Sequence, residues 1–100
     1  SYVPPQEEQE DARKVLKNYL NADGTLKQIP APGNKLLIML NFIVDAFAID
    51  TNYTEKEVNT ILRRFHVDTA ALRRYLVDNG LMGRESDGTK YWRVKQEAQA

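Results

Sequence analysis

The sequence predicts a mainly α fold with a small β-hairpin, in the order of a winged helix-turn-helix. Three features predict it. Thr54-Glu55-Lys56-Glu57 has the form of a capping box, in which a threonine oxygen and a glutamate side chain satisfy each other's free backbone donors at a helix start. Asp68 and Gly80 bracket a second, shorter helix a few residues on, one as N-cap and the other as a left-handed C-terminal cap. Asp87-Gly88 then separates two strand-like runs, a strong short-range hairpin signal.

Taken in chain order, residues 1–6 (SYVPPQ) have two prolines and no periodicity, and are expected to be a disordered leader or linker. A helix should follow, with Glu7, Glu8, Glu10 and Asp11 at its positive end and Ala12, Val15, Leu16, Tyr19 and Leu20 on one face. Gly24 to Pro32 is extended by composition, so a short strand or an ordered arm anchored by Leu26 and Ile29 is expected there. Asn34 to Ala48 is apolar on most sides and reads as the central core helix. A domain of this size rarely covers such a helix alone, so the helix over 36–49 is also a possible homodimer face.

Asp50 to Tyr53 reads as a short connection. The helix begun by the capping box should run to Arg64 or Phe65, with Val58, Ile61, Leu62 and Phe65 inward. The Asp68-capped helix should place Leu72, Tyr75 and Leu76 inward. Leu81 to Glu85 and Lys90 to Val94 form the hairpin strands, joined by a type I′ turn with positive φ at both central residues. The expected organisation is a single domain over 7–94, with the helix-turn-helix at 54–79, the wing at 81–94 and a polar tail at 95–100.

Composition narrows the function classes. A chain of 100 residues, 42% hydrophobic and 28% charged, fits one ordinary globular domain. There is no cysteine, which removes disulfides and thiolate metal sites and fits a cytoplasmic protein. No apolar run approaches the roughly 18 residues of a membrane span, so no membrane partner is expected. Net charge is zero, but residues 1–60 carry six Lys/Arg against nine Asp/Glu, and residues 61–95 carry eight against four. The C-terminal half is therefore the basic one.

In a winged helix the second helix of the pair enters the major groove and the hairpin lies on the backbone or minor groove. The candidate DNA-binding residues are then Thr69, Arg73 and Arg74 on the second helix and Arg84, Lys90 and Arg93 on or beside the wing. Arg63 and Arg64 close the preceding helix, where offsetting the helix dipole accounts for them without a ligand. Charged hairpin edges also suppress aggregation. The second helix has no Asn or Gln in its first turns, which leaves a domain used for protein contacts as the rival to DNA binding.

No catalytic set stands out. Ser86 lacks a glycine-flanked nucleophile motif, no phosphate-cradling glycine loop is present, and Asp45 and Asp50 have no base beside them. The chain is expected not to be an enzyme and to need no cofactor. His66 is a lone histidine, better read as satisfied by the backbone in a turn than as a ligand, so no metal is expected. Tyr91 and Trp92, with Tyr75 and Phe65, read as wing aromatics packed on the helices more than as base-stacking groups.

Tyr53-Thr54-Glu55-Lys56-Glu57-Val58-Asn59, Arg64-Phe65-His66, Asp68, Leu72 to Asp78, Gly80-Leu81-Met82, Arg84 and Gly88 to Arg93 together resemble a bacterial domain-of-unknown-function family, number two thousand and eighty-seven. Leu26 to Pro30 and Lys35 fit the same pattern, so the resemblance runs over about residues 14 to 94. It implies a winged-helix-like domain, found alone or C-terminal to ArsR-like winged helices, and by association transcriptional regulation. The Pro-rich start without Met favours an excised C-terminal domain over a stand-alone member. The expected function is thus non-catalytic binding of double-stranded DNA by a bacterial regulator. The alternative is an interaction or dimerisation module that does not touch DNA.

Overall fold

Four helices and three short strands follow one another in the computed structural model, which describes residues 5–96. They are α1 (Gln6–Tyr19), α2 (Asn34–Val44), β1 (Asn52–Tyr53), α3 (Glu55–Leu62), α4 (Thr69–Asp78), β2 (Met82–Arg84) and β3 (Tyr91–Arg93). The strands form one antiparallel sheet in the order β1-β3-β2. The fold is therefore mixed α/β, with more sheet than the expected hairpin alone. The leader falls mostly on residues 1–4 and the tail partly on 97–100, outside the described residues; Gln6 of the expected leader already belongs to α1.

The helix starts form as their sequences dictate. Thr54 Oγ1 accepts from the Glu57 amide at 3.1 Å, and Glu57 Oε1 accepts from the Thr54 amide at 2.8 Å, which completes the capping box of α3. Asp68 Oδ1 accepts from the Ala71 amide at 3.1 Å and caps α4. The end of α4 is a Schellman arrangement. Leu81 N–H reaches Leu76 O at 2.9 Å and Gly80 N–H reaches Val77 O at 3.0 Å, with Gly80 at φ 72°. That positive φ favours glycine and turns the chain straight from α4 into β2.

The third strand is not where the sequence suggested. Leu26 makes only an isolated bridge with Leu20, while Asn52 and Tyr53 pair with Trp92 and Tyr91. Residues 24–32 are the ordered arm instead. Leu26 is buried and its amide donates to Phe65 O at 2.7 Å, which ties the arm to the turn after α3. The hairpin turn also differs from expectation. Gly88 is at φ 75°, but Asp87 is not at positive φ, and Gly88 N–H bonds to Glu85 O at 3.0 Å. This is a four-residue loop, Ser86 to Thr89, closed by Glu85 N–H to Lys90 O at 2.9 Å, and not a type I′ turn.

The core gathers α2, α3, α4 and the inner face of the sheet. Leu36, Met39, Leu40, Ile43 and Val44 of α2 are buried with Val58, Leu62, Leu72, Leu76 and Tyr91. The α2 helix stops at Val44, short of the expected Ala48. From there two tight turns (Ala46 N–H to Ile43 O and Phe47 N–H to Val44 O, both 3.0 Å) fold Phe47 back into the core, edge-on to Tyr53. The α1 and α4 helices pack on α2, and Phe42 meets Phe65 edge to face. Of α2's large apolar side chains only Leu37 is strongly exposed, at 40%. Ile49, at the end of the expected 36–49 face, is also exposed at 47%; the rest of that apolar stretch is mostly covered within the chain, and nothing supports the homodimer expected there.

Candidate nucleic-acid interface

The inward face of α4 carries Thr69, Leu72 and Leu76, three and four residues apart, all buried. Its opposite face carries Ala70, Arg73, Arg74, Val77 and Asp78. These five residues, with Arg84 of β2 and Tyr91 of β3, line an open groove of about 250 Å³ between α4 and the hairpin. The sequence-predicted residues divide around it. Arg73, Arg74 and Arg84 converge on the groove. Thr69 does not: at 8% exposure it faces the core, a correction to its expected outward position that follows from its sharing a face with Leu72.

Each arginine is held differently. Arg73 Nη2 lies 2.9 Å from Glu55 Oε1, and Nη1 donates to Asn59 Oδ1 in a short contact. This guanidinium fastens α4 to α3. Arg84 sits 5.7 Å over the Tyr91 ring and donates from Nε to Glu85 O and from Nη2 to Ser86 O, both 3.1 Å, so it braces the hairpin loop. Arg74 is exposed, 5.6 Å from the ring centre of Tyr75, and forms no salt bridge among the described residues. Lys90 is exposed at the loop end of the hairpin, outside the groove lining.

Arg93 leaves the interface altogether. Nη1 donates to Phe47 O at 3.1 Å and Nη2 reaches Asp45 Oδ1 at 2.9 Å, so the side chain staples β3 to the turn after α2. The two acidic residues beyond α2 are thereby accounted for separately, since Asp50 pairs with Lys95 at 3.1 Å. His66 Nδ1 accepts from the Asp68 amide at 3.0 Å, the backbone-satisfied turn role expected of it. No three His, Asp or Glu side chains among the described residues converge as metal ligands. Sequence reasoning missed Glu55 and Asn59 as the anchors of Arg73. Their spacing of four on one helix, which puts both on one face, was the available signal.

The hairpin loop beside the groove has its own electrostatics. Asp87 Oδ1 accepts from Thr89 Oγ1 at 2.7 Å and from the Thr89 amide at 3.0 Å. The Thr89 hydroxyl bond first, then its amide and the Arg84 charge, hold the Asp87 carboxyl below its usual 3.8. Asp23-Gly24-Thr25 repeats the arrangement, and Thr25 lowers Asp23 in the same way. A carboxyl lowered on folding stabilises the native state above its unfolded value of 3.8, and that contribution is lost as pH falls through the lower folded value. Asp87→Asn should therefore be less stable than the parent at neutral pH and lose less on acidification below 3.8. Urea midpoints at neutral and acid pH read this directly. Parallel curves for the two proteins would contradict it.

Residues 25–93 match the sequence model of a family described as an uncharacterized protein conserved in bacteria, DUF2087. The match spans more than half of the chain, and the chain belongs to this bacterial family. No curated protein and no solved structure matches it. No helix among the described residues is long and apolar enough to cross a membrane.

Proposed function

We propose that the chain is a winged helix-turn-helix domain that binds double-stranded DNA, without catalysis, within a cytoplasmic bacterial transcription regulator. The observation that carries this reading is the convergence of Arg73, Arg74 and Arg84 on the groove between α4 and the hairpin. Helix α4 is short, capped at both ends, and rests on α2 and α3, so its outer face is presented rigidly. In this reading α4 enters the major groove. Arg74, the groove arginine with neither an ion pair nor a side-chain hydrogen bond among the described residues, contacts a base edge or a phosphate, and Lys90 at the hairpin tip meets the backbone. In the free protein Arg73 is held by Glu55 and Asn59 and fastens α4 to α3. Nothing comparable supports the interaction-module reading, because most of the apolar stretch that motivated it is covered within the chain.

Duplex binding measured by fluorescence anisotropy at about 50 and 200 mM salt tests the proposal. Affinity should fall steeply between the two. Arg74→Ala should cost about tenfold at the lower salt, in the range of one lost base contact, or flatten the salt slope by about one if it binds phosphate. Arg93→Ala should alter stability and leave the salt slope alone. No duplex binding at the lower salt, or an Arg74→Ala protein that binds like the parent, would reject it.

A further inference from the structure

We infer that Glu55 occupies, in the free protein, the seat of one backbone phosphate at the mouth of the α4–hairpin groove, and so limits affinity for duplex. The inference rests on the DNA-binding reading above. Its starting point is where the two oxygens of Glu55 lie. Oε1 is 2.9 Å from Arg73 Nη2. Oε2 faces the hairpin loop, 4.0 Å from the point where a Cβ on Gly88 would sit, and Arg84 Nη2 is 3.5 Å from the same point. One carboxylate thus pairs with the α4 guanidinium and borders the same loop position that the β2 guanidinium approaches, a position without a side chain.

A guanidinium fork accepts a carboxylate and a phosphate in the same geometry. Arg73 needs no reorganisation to exchange one for the other, because Asn59 holds its other nitrogen and its side chain is only 20% exposed. Glu55 is the movable partner. Its side chain is 47% exposed, and an ion pair that open to water is weak. The capping box of α3 uses Thr54 and Glu57, so Glu55 can rotate outward without loosening the helix start. Two further carboxylates lie near this surface: Asp78, on the groove wall one turn beyond Arg74 and without an ion pair among the described residues, and Asp87, next to Gly88 and within reach of the Arg84 charge. Of these acids Glu55 is the one paired with a groove guanidinium, so its displacement by a phosphate frees a donor already held in place.

The test is Glu55→Gln, which keeps shape and hydrogen bonding and removes the charge. It should bind duplex several-fold tighter than the parent, and its salt slope should steepen by about one, the signature of one more neutralised phosphate. In an Arg73→Ala background the gain should largely vanish. If Glu55→Gln binds no tighter while Arg74→Ala still weakens binding, the seat is wrong and the DNA reading stands. If no variant binds duplex, the DNA reading fails and inorganic phosphate decides the seat. The Nε–H resonances of Arg73 and Arg84 should then shift at lower phosphate concentration in Glu55→Gln than in the parent. No shift in either protein would overturn the inference.

Discussion

Tyr91→Ala is expected to lower unfolding free energy by about 3–5 kcal/mol, the range for truncating a large buried aromatic. Tyr91 is 1% exposed and lies at the centre of the sheet, paired with Tyr53 on one side and Arg84 on the other. Its ring also carries Arg84 and forms part of the groove lining, so truncation removes core volume and a support of the groove at one stroke. A small domain has a stability of only about 5–15 kcal/mol, so the loss is a large fraction of the total. Urea unfolding followed by circular dichroism measures the effect. A loss under about 1 kcal/mol, below even a modest core truncation, would mean that the sheet is not anchored as described.

Gly83→Ala is expected to destabilise by about 1–3 kcal/mol, because it overpacks a contact that has no slack. Gly83 sits opposite Trp92 in the β2–β3 register, and the indole lies across it. An added Cβ would fall 2.4 to 2.5 Å from three indole atoms, closer than nonbonded atoms approach. The ring must swing off the strand, or β2 must move away from β3. Trp92 is the only tryptophan, so its fluorescence reports the event without ambiguity. Emission should shift toward that of a water-exposed indole, together with a lower melting temperature. Unchanged emission and melting would show that the indole does not rest on Gly83.

What the sequence made legible is what neighbouring residues decide among themselves. Thr54 with Glu57, Asp68 with Ala71, and Gly80 after α4 each involve residues a few positions apart, and each formed as read. Features set by distant partners were not legible. The β1 strand is two residues long and exists because Trp92 and Tyr91 pair with it across the fold. The early end of α2 reflects Phe47 finding a place in the core beside Tyr53. The candidate site follows the same division. That 70, 73, 74 and 77 share a helix face is local, and the groove contains all four. That Arg73 is committed to Asn59 and Glu55, and Arg93 to Asp45 and Phe47, depends on contacts 14 to 48 residues apart. Charge counted along the chain therefore overstated the number of arginines free to meet a ligand.

The central claim is that the outer face of α4 and the hairpin beside it form the surface that meets DNA. Amide chemical-shift mapping of the isotope-labelled protein, titrated with a duplex at low salt, tests this most directly. The account predicts perturbations concentrated at Ala70, Arg73, Arg74, Val77 and the loop from Arg84 to Lys90, with α1 and the Arg93 staple little changed. Perturbations confined to α1 and α2, or none at saturating duplex, would contradict it.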